Sequence, residues 1–215
     1  MLLIDAGTSY IKVLEDDSNK LSIYPIVEKE LYCNLRPDVI TGHNSALFPN
    51  TKKVSELLAL AHGTKKIIKE DSFTVLDVGS RDMKLVSYKN GEFDKCDWNT
   101  SCGAMIGFTI ELITKYFDRT HIELPNTKKT LDITCGLLGI TKFFDGISKN
   151  ESIDENLSAL INGMASYAWH FSGKPSSLYL SGGLCDNRTF VQHLNKLVPQ
   201  LHTLGRKVLL EGLRS

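Results

Sequence analysis

Apolar residues follow two rhythms along this chain. Short apolar runs bounded by Gly, Asn and Asp alternate with longer stretches in which apolar positions recur every three to four residues. The first rhythm predicts strands and the second predicts helices. The chain opens on a hairpin: residues 2–4 are apolar, Asp5 ends the strand, Ala6-Gly7-Thr8-Ser9 turn, and residues 10–14 return. Residues 73–85 (FTVLDVGSRDMKL) repeat the plan, with Asp77 closing the first strand, a Gly79-Ser80 turn, and a return from Met83. Further strands are expected over 21–27, 37–41, 92–98, 131–134 and 177–180, with a connector over 28–36. Val54, Leu57, Leu58 and Ala61 mark a helix that Gly63 is expected to stop. Other helical stretches run from after Ser101-Cys102-Gly103 to about Phe117, from after Cys135-Gly136 to about Lys149, over 152–171 and over 187–198, with a last amphipathic turn or two over 206–213. Ser152, with Glu155 three residues on, is a capping box for the longest of them. The charged segment 65–71 is the expected boundary. It gives units 1–70 and 71–215, with the C-terminal helix packing back on the first.

Composition narrows the classes. The chain has 215 residues, enough for one large domain or two small ones, and Lys+Arg 25 balances Asp+Glu 25. A balanced charge implies no general attraction to nucleic acid or anionic membrane. No apolar run approaches the ~18 residues that suggest a membrane span, and the apolar start runs into the Asp5 turn without the pattern of a signal peptide. A cytoplasmic, reducing setting is therefore expected. There the 5 cysteines (33, 96, 102, 135, 185) are free, catalytic or metal-bound rather than disulfide-bonded. Cys96 is expected to pack on a strand and Cys185 to be a loop thiol, and Trp98 and Trp169 are expected in the core. The 6 histidines show no metal spacing.

The candidate chemistry lies in the turns. A carboxylate beside a glycine turn can hold Mg²⁺ while backbone N–H groups approach a phosphate. Asp5 and Asp77 are the carboxylates, and Gly7 and Gly79 leave room for the approach. Thr8, Ser9 and Ser80 add hydroxyl donors. Residues 178–183 (LYLSGG) end a strand in Gly182 and Gly183 just before a helix, which suits a nucleoside lying along backbone. The twin hairpins imply a duplicated α/β phosphate-binding fold.

The order DAGTSY, DVGSRD, SGG resembles the actin/sugar kinase/Hsp70 superfamily. Within it, the chain resembles the ATPase activators of 2-hydroxyacyl-CoA dehydratases, the group that includes benzoyl-CoA reductase ATPase subunits. Residues 54–63 (VSELLALAHG), 77–84 (DVGSRDMK), 101–108 (SCGAMIGF), Thr134-Cys135 and 180–184 (LSGGL) carry the resemblance over nearly the whole chain. It implies two ribonuclease H-like, actin-like ATPase subdomains with a nucleotide cleft between them, the first one shortened. It implies that Asp5 and Asp77 organise Mg²⁺ and the attacking water. Gly7, Thr8, Ser9, Gly79, Ser80 and Asp82, with Arg81 and Lys84 of the same motif, would hold the phosphates of ATP, and Gly182 and Gly183 the nucleoside. Read alone, Cys102 and Cys135 are two small buried thiols, or two thiolates lowered in pKa at helix N-termini. The resemblance implies that a homodimer shares one [4Fe–4S] cluster on these four thiolates. It also implies a partner dehydratase or reductase, and a low-potential donor such as ferredoxin or flavodoxin.

Three functions follow as expectations. The first is an ATP-binding and ATP-hydrolysing activator that passes an electron through the cluster to its partner. The second is a small-molecule kinase of the same superfamily, of pantothenate or sugar kinase type, for which no general-base Asp stands out. The third is a non-catalytic nucleotide-binding regulator, supported by Arg81 in place of the family's Gln and by Met105 and Ile106 at small or polar positions.

Overall fold

The computed structural model describes residues 1–99, 106–120 and 123–214; Cys102 and Met105 lie outside the described residues. The elements are β1 (Leu2–Ala6), β2 (Tyr10–Glu15), β3 (Lys20–Pro25), β4 (Val39–Thr41), β5 (Lys52–Lys53), α1 (Glu56–Ile67), β6 (Phe73–Val78), β7 (Met83–Lys89) and β8 (Glu92–Asn99). They continue as α2 (Ile106–Tyr116), α3 (Gly136–Ser148), α4 (Ile153–Phe171), β9 (Ser177–Ser181), α5 (Arg188–Leu197), β10 (Gln200–Gly205) and α6 (Val208–Glu211).

The strands form two sheets on one plan, β3-β2-β1-β4-β5 and β8-β7-β6-β9-β10. β1 runs antiparallel to β2 and parallel to β4; β6 and β10 both run parallel to β9. The central strands, β1 and β6, are buried along almost their whole length. That burial explains why they read as continuous apolar runs rather than alternating ones. The first sheet is the reduced copy: β5 has two residues, and a single 3₁₀ turn, Lys29–Leu31, lies between β3 and β4.

The chain divides into two compact units. One comprises Met1–Ser72, Val86–Cys96 and Arg206–Ser215, the other Phe73–Leu85 and Asp97–Gly205. The first unit has a small core of Ile4, Ala6, Ile11, Val13, Tyr32, Ile40 and Phe48. The second has the larger core, in which Leu76, Val78, Leu178 and Leu180 of the sheet meet Leu157, Leu160, Ile161 and Met164 of α4. The α4 stripe was legible in the sequence, and so was its start: the Ser152 hydroxyl accepts from the Glu155 N–H.

Tertiary contacts overrule several local expectations. Gly63 does not stop α1, which runs on to Ile67. A Cβ on Gly63 would lie 1.9 Å from the Val208 carbonyl oxygen, and one on Gly212 would lie 1.8 Å from that of Ala59. The two glycines let α1 and α6 touch backbone to backbone. Residues 131–134 form no strand. The Leu131 N–H instead donates to the Ala159 carbonyl of α4 at 3.0 Å, where Gly163 leaves room for the Leu131 backbone. β10 was not anticipated because it is a largely exposed edge strand with no apolar alternation. Trp98 is 39% exposed rather than in the core, and Cys96 is exposed rather than packed. Among the described residues, no helix is long and apolar enough to cross a membrane.

Candidate functional site

The two aspartate turns are built by the same local rule, each within its own unit. In the second unit, Asp77 on β6 stands in register with Ser181 on β9, and the Ser181 hydroxyl donates to Asp77 Oδ2 at 2.7 Å. Asp77 is 4% exposed, so its charge depends on protein partners rather than on water. Gly182 follows at φ +92°, and a Cβ there would lie 2.5 Å from the Val78 carbonyl oxygen. The chain passes so close to the residue after Asp77 that only glycine fits. Around a Cβ on Gly183, nothing among the described residues lies within 4 Å.

The turn after Asp77 is closed by its own residues. The Gly79 N–H donates to the Asp82 carbonyl at 3.0 Å. Lys84, 2% exposed, bonds Asp82 Oδ1 at 2.6 Å, and the Trp98 indole N–H donates to Asp82 Oδ2 at 2.9 Å. The Lys84 ammonium also lies 5.4 Å from the centre of the Trp98 ring. The first turn of α2 rests on the same loop: the Phe108 N–H donates to the Ser80 carbonyl at 2.8 Å. A Cβ on Gly107 would lie 2.6 Å from the Gly79 oxygen, so Gly107 seats this helix on the turn. Arg81 is exposed at the tip of the loop.

In the first unit, Asp5 on β1 is 2% exposed. It stands opposite Lys12 on β2, whose ammonium lies 2.5 Å from Asp5 Oδ2. On its other side it is in register with Thr41 on β4. Gly42 follows at φ +100°, and a Cβ there would lie 2.5 Å from the Ala6 oxygen. Gly7 donates to the Tyr10 carbonyl at 3.1 Å, while Asn44 Nδ2 donates to the Gly7 carbonyl at 2.8 Å. Thr8 and Ser9 are half-buried in this turn.

Thus Asp5, Thr41 and Gly42 mirror Asp77, Ser181 and Gly182. The signal was present in the sequence. A hydroxyl–glycine pair ends β4 and β9 alike, and Lys12 follows Asp5 at the spacing at which Lys84 follows Asp77. The Gly42 and Asn44 contacts, the Lys12 pair and the Trp98 bond were not anticipated. In each unit a buried carboxylate, a register-partner hydroxyl and a constrained glycine come together at a strand end; the lysine pairs with that carboxylate in the first unit and with Asp82 in the second.

Cys135 takes the expected helix position. It is the N-cap of α3, and its buried Sγ accepts from the Leu138 N–H at 3.2 Å. Among the described residues, no group of three or more His, Cys, Asp or Glu side chains is arranged around a common metal position. Cys185 donates to the Leu180 carbonyl at 3.2 Å, and burial pushes its pKa up to about 11. Cys33 and Cys96 are exposed.

Two duplicated sheets of this order with flanking helices, each carrying an aspartate hairpin, define the two-subdomain actin-like ATPase fold, with a shortened first subdomain. No family model and no curated protein matches the chain by sequence. Among solved structures, it is similar to the activator of the 2-hydroxyisocaproyl-CoA dehydratase from Clostridium difficile with bound ADPNP. The TM-score is 0.77 at 18% identity, over 99% of this chain and 92% of that one. It is also similar to component A of the (R)-2-hydroxyglutaryl-CoA dehydratase from Acidaminococcus fermentans, with a TM-score of 0.73 at 17% identity over 99% and 94% of the two chains. The ethanolamine utilization protein EutJ from Carboxydothermus hydrogenoformans is more distant, with a TM-score of 0.55 at 12% identity over 99% and 88%. At these identities the likeness is one of fold.

Proposed function

We propose that this chain is an ATP-dependent activator of a 2-hydroxyacyl-CoA dehydratase-like or benzoyl-CoA reductase-like partner. The observation that carries the reading is the buried Asp–hydroxyl–Gly arrangement, built once in each unit of a fold shared with an ADPNP-bound activator. Asp77 and Asp5 would organise Mg²⁺ and water. Gly79, Ser80 and Arg81, with Gly7, Thr8 and Ser9, would meet phosphate oxygens, and Gly182 and Gly183 the nucleoside. Asp82, bonded to both Lys84 and Trp98, would hold the second turn in shape for that contact, with the Lys84 ammonium over the Trp98 ring. A [4Fe–4S] cluster, held by Cys102 and Cys135 of two copies, would supply the electron carrier. Cys135 fits that role, since its Sγ already sits at a helix N-terminus. Nucleotide turnover would change how the cluster is presented to the partner.

Iron, acid-labile sulfide and ATP turnover of anaerobically purified protein test the reading. About four irons per two chains are expected, with loss of iron in Cys135→Ser and turnover of ATP by the wild-type protein. A Cys135→Ser protein that retains all its iron would sink the cysteine assignment. Nucleotide binding without turnover would instead favour a regulator, the reading that exposed Arg81 supports in place of a water-positioning Gln.

A further inference from the structure

The two aspartate turns share a plan but differ at the hydroxyl. On the second, the Ser181 hydroxyl is bonded to Asp77. On the first, the matching Thr41 is 1% exposed, and its Oγ1 has no hydrogen-bond partner among the described residues. Thr41 and Asp5 are register partners in a parallel pair, so their side chains leave the sheet on the same face. A buried hydroxyl is seldom left unpaired in a native protein, and an ion or a bound water is the usual explanation.

The surroundings of Thr41 limit what that ligand can be. The Asp5 carboxylate and the Lys12 ammonium offset each other, so the turn carries no net charge to attract a bare anion. Gly42 brings backbone against Ala6 beside the hydroxyl. A neutral hydroxyl oxygen accepts well from a water polarised by a divalent cation. Mg²⁺ characteristically keeps several waters and reaches protein groups through them. We infer that Thr41 receives the metal of bound nucleotide: its hydroxyl accepts a hydrogen bond from a water on the Mg²⁺ of Mg·nucleotide, beside Asp5. This rests on the nucleotide reading proposed above and adds to it an inequality between the two turns. Ser181 serves the protein's own carboxylate, whereas Thr41 serves the ligand.

Thr41→Val removes the hydroxyl at nearly constant shape, and Thr41→Ser keeps it. Each is titrated calorimetrically with ADPNP, with Mg²⁺ present and with Mg²⁺ removed. With Mg²⁺, Thr41→Val is expected to bind about three- to tenfold more weakly than wild type, the value of one hydrogen bond, and Thr41→Ser to match wild type. Without Mg²⁺, the three proteins are expected to bind equally. In the absence of nucleotide, Thr41→Val is expected to melt at or above the wild-type temperature, because it removes a buried unpaired hydroxyl. Thr41→Ala carries the same binding expectation should valine crowd the site. Equal binding of Mg·ADPNP by wild type and Thr41→Val would overturn the inference. So would a loss of the same size without Mg²⁺, which would place the hydroxyl on phosphate. No binding of ADPNP by the wild-type protein would refute the nucleotide reading itself.

Discussion

Gly182→Ala is the sharpest perturbation of the second aspartate turn. The residue has φ +92°, a conformation that costs a side-chain-bearing residue about 1–2 kcal/mol. The new Cβ would lie 2.5 Å from the Val78 oxygen, 2.9 Å from its carbonyl carbon and 3.0 Å from its nitrogen. All three are backbone atoms of a central strand, so relief requires β6 and β9 to part, a strain of about 1–3 kcal/mol. Reduced freedom of the unfolded chain returns about 0.4–1 kcal/mol, leaving a net loss of roughly 1–4.5 kcal/mol. For a chain of this length, at about 2–4 °C per kcal/mol, that is a fall in Tm of roughly 2–18 °C. Gly183→Ala is the internal control: it has no contact to make within 4 Å, and a change of at most about 1 kcal/mol is expected. Gly42→Ala, with its Cβ 2.5 Å from the Ala6 oxygen, is expected to behave as Gly182→Ala does if the two turns are built alike. Thermal unfolding followed by circular dichroism measures all three. A Gly182→Ala protein as stable as wild type, or a Gly183→Ala protein equally damaged, would refute the reasoning.

Three further outcomes are expected. With a thiol reagent at pH 8, Cys33 and Cys96 react in the folded protein, while Cys135 and Cys185 are protected until the chain unfolds, Cys185 also because burial holds its folded-state pKa at about 11; mass spectrometry of labelled peptides reads this. Burial lowers the His193 pKa below its ordinary 6.5, so the unfolded chain takes up that proton more readily. The His193 contribution is complete above pH 6.5 and is lost as pH falls below it, and His193→Gln should flatten the stability profile in that window. Gly63→Ala should release the C-terminal segment, detected by faster hydrogen exchange in α6, although alanine is the better helix former by about 1 kcal/mol; a more stable Gly63→Ala protein would contradict the α1–α6 packing.

The parts of the fold legible in the sequence were those specified locally. The Asp5 and Asp77 hairpins are marked by apolar runs and glycine turns, and α4 by its stripe and its Ser152 cap. What was missed depends on residues far apart in the chain. The pairing of Thr41 with Asp5 and of Ser181 with Asp77 does not show until β4 is laid beside β1 and β9 beside β6. Gly63 reads as a helix stop because nothing nearby announces that α6 will press against it. Trp98 reads as core because of its size. Its indole N–H, however, needs a partner, and it finds one in Asp82 at the partly exposed end of β8. Lys84, expected with the phosphate-holding residues, is buried beside that same carboxylate.

The central claim is that the aspartate turns bind Mg·nucleotide, and calorimetric titration of Mg·ADPNP into wild type and Asp77→Asn tests it most directly. One nucleotide per chain for wild type, with affinity lost in a folded Asp77→Asn, is the expected result. No heat of binding to wild type, or undiminished binding to Asp77→Asn, would contradict it.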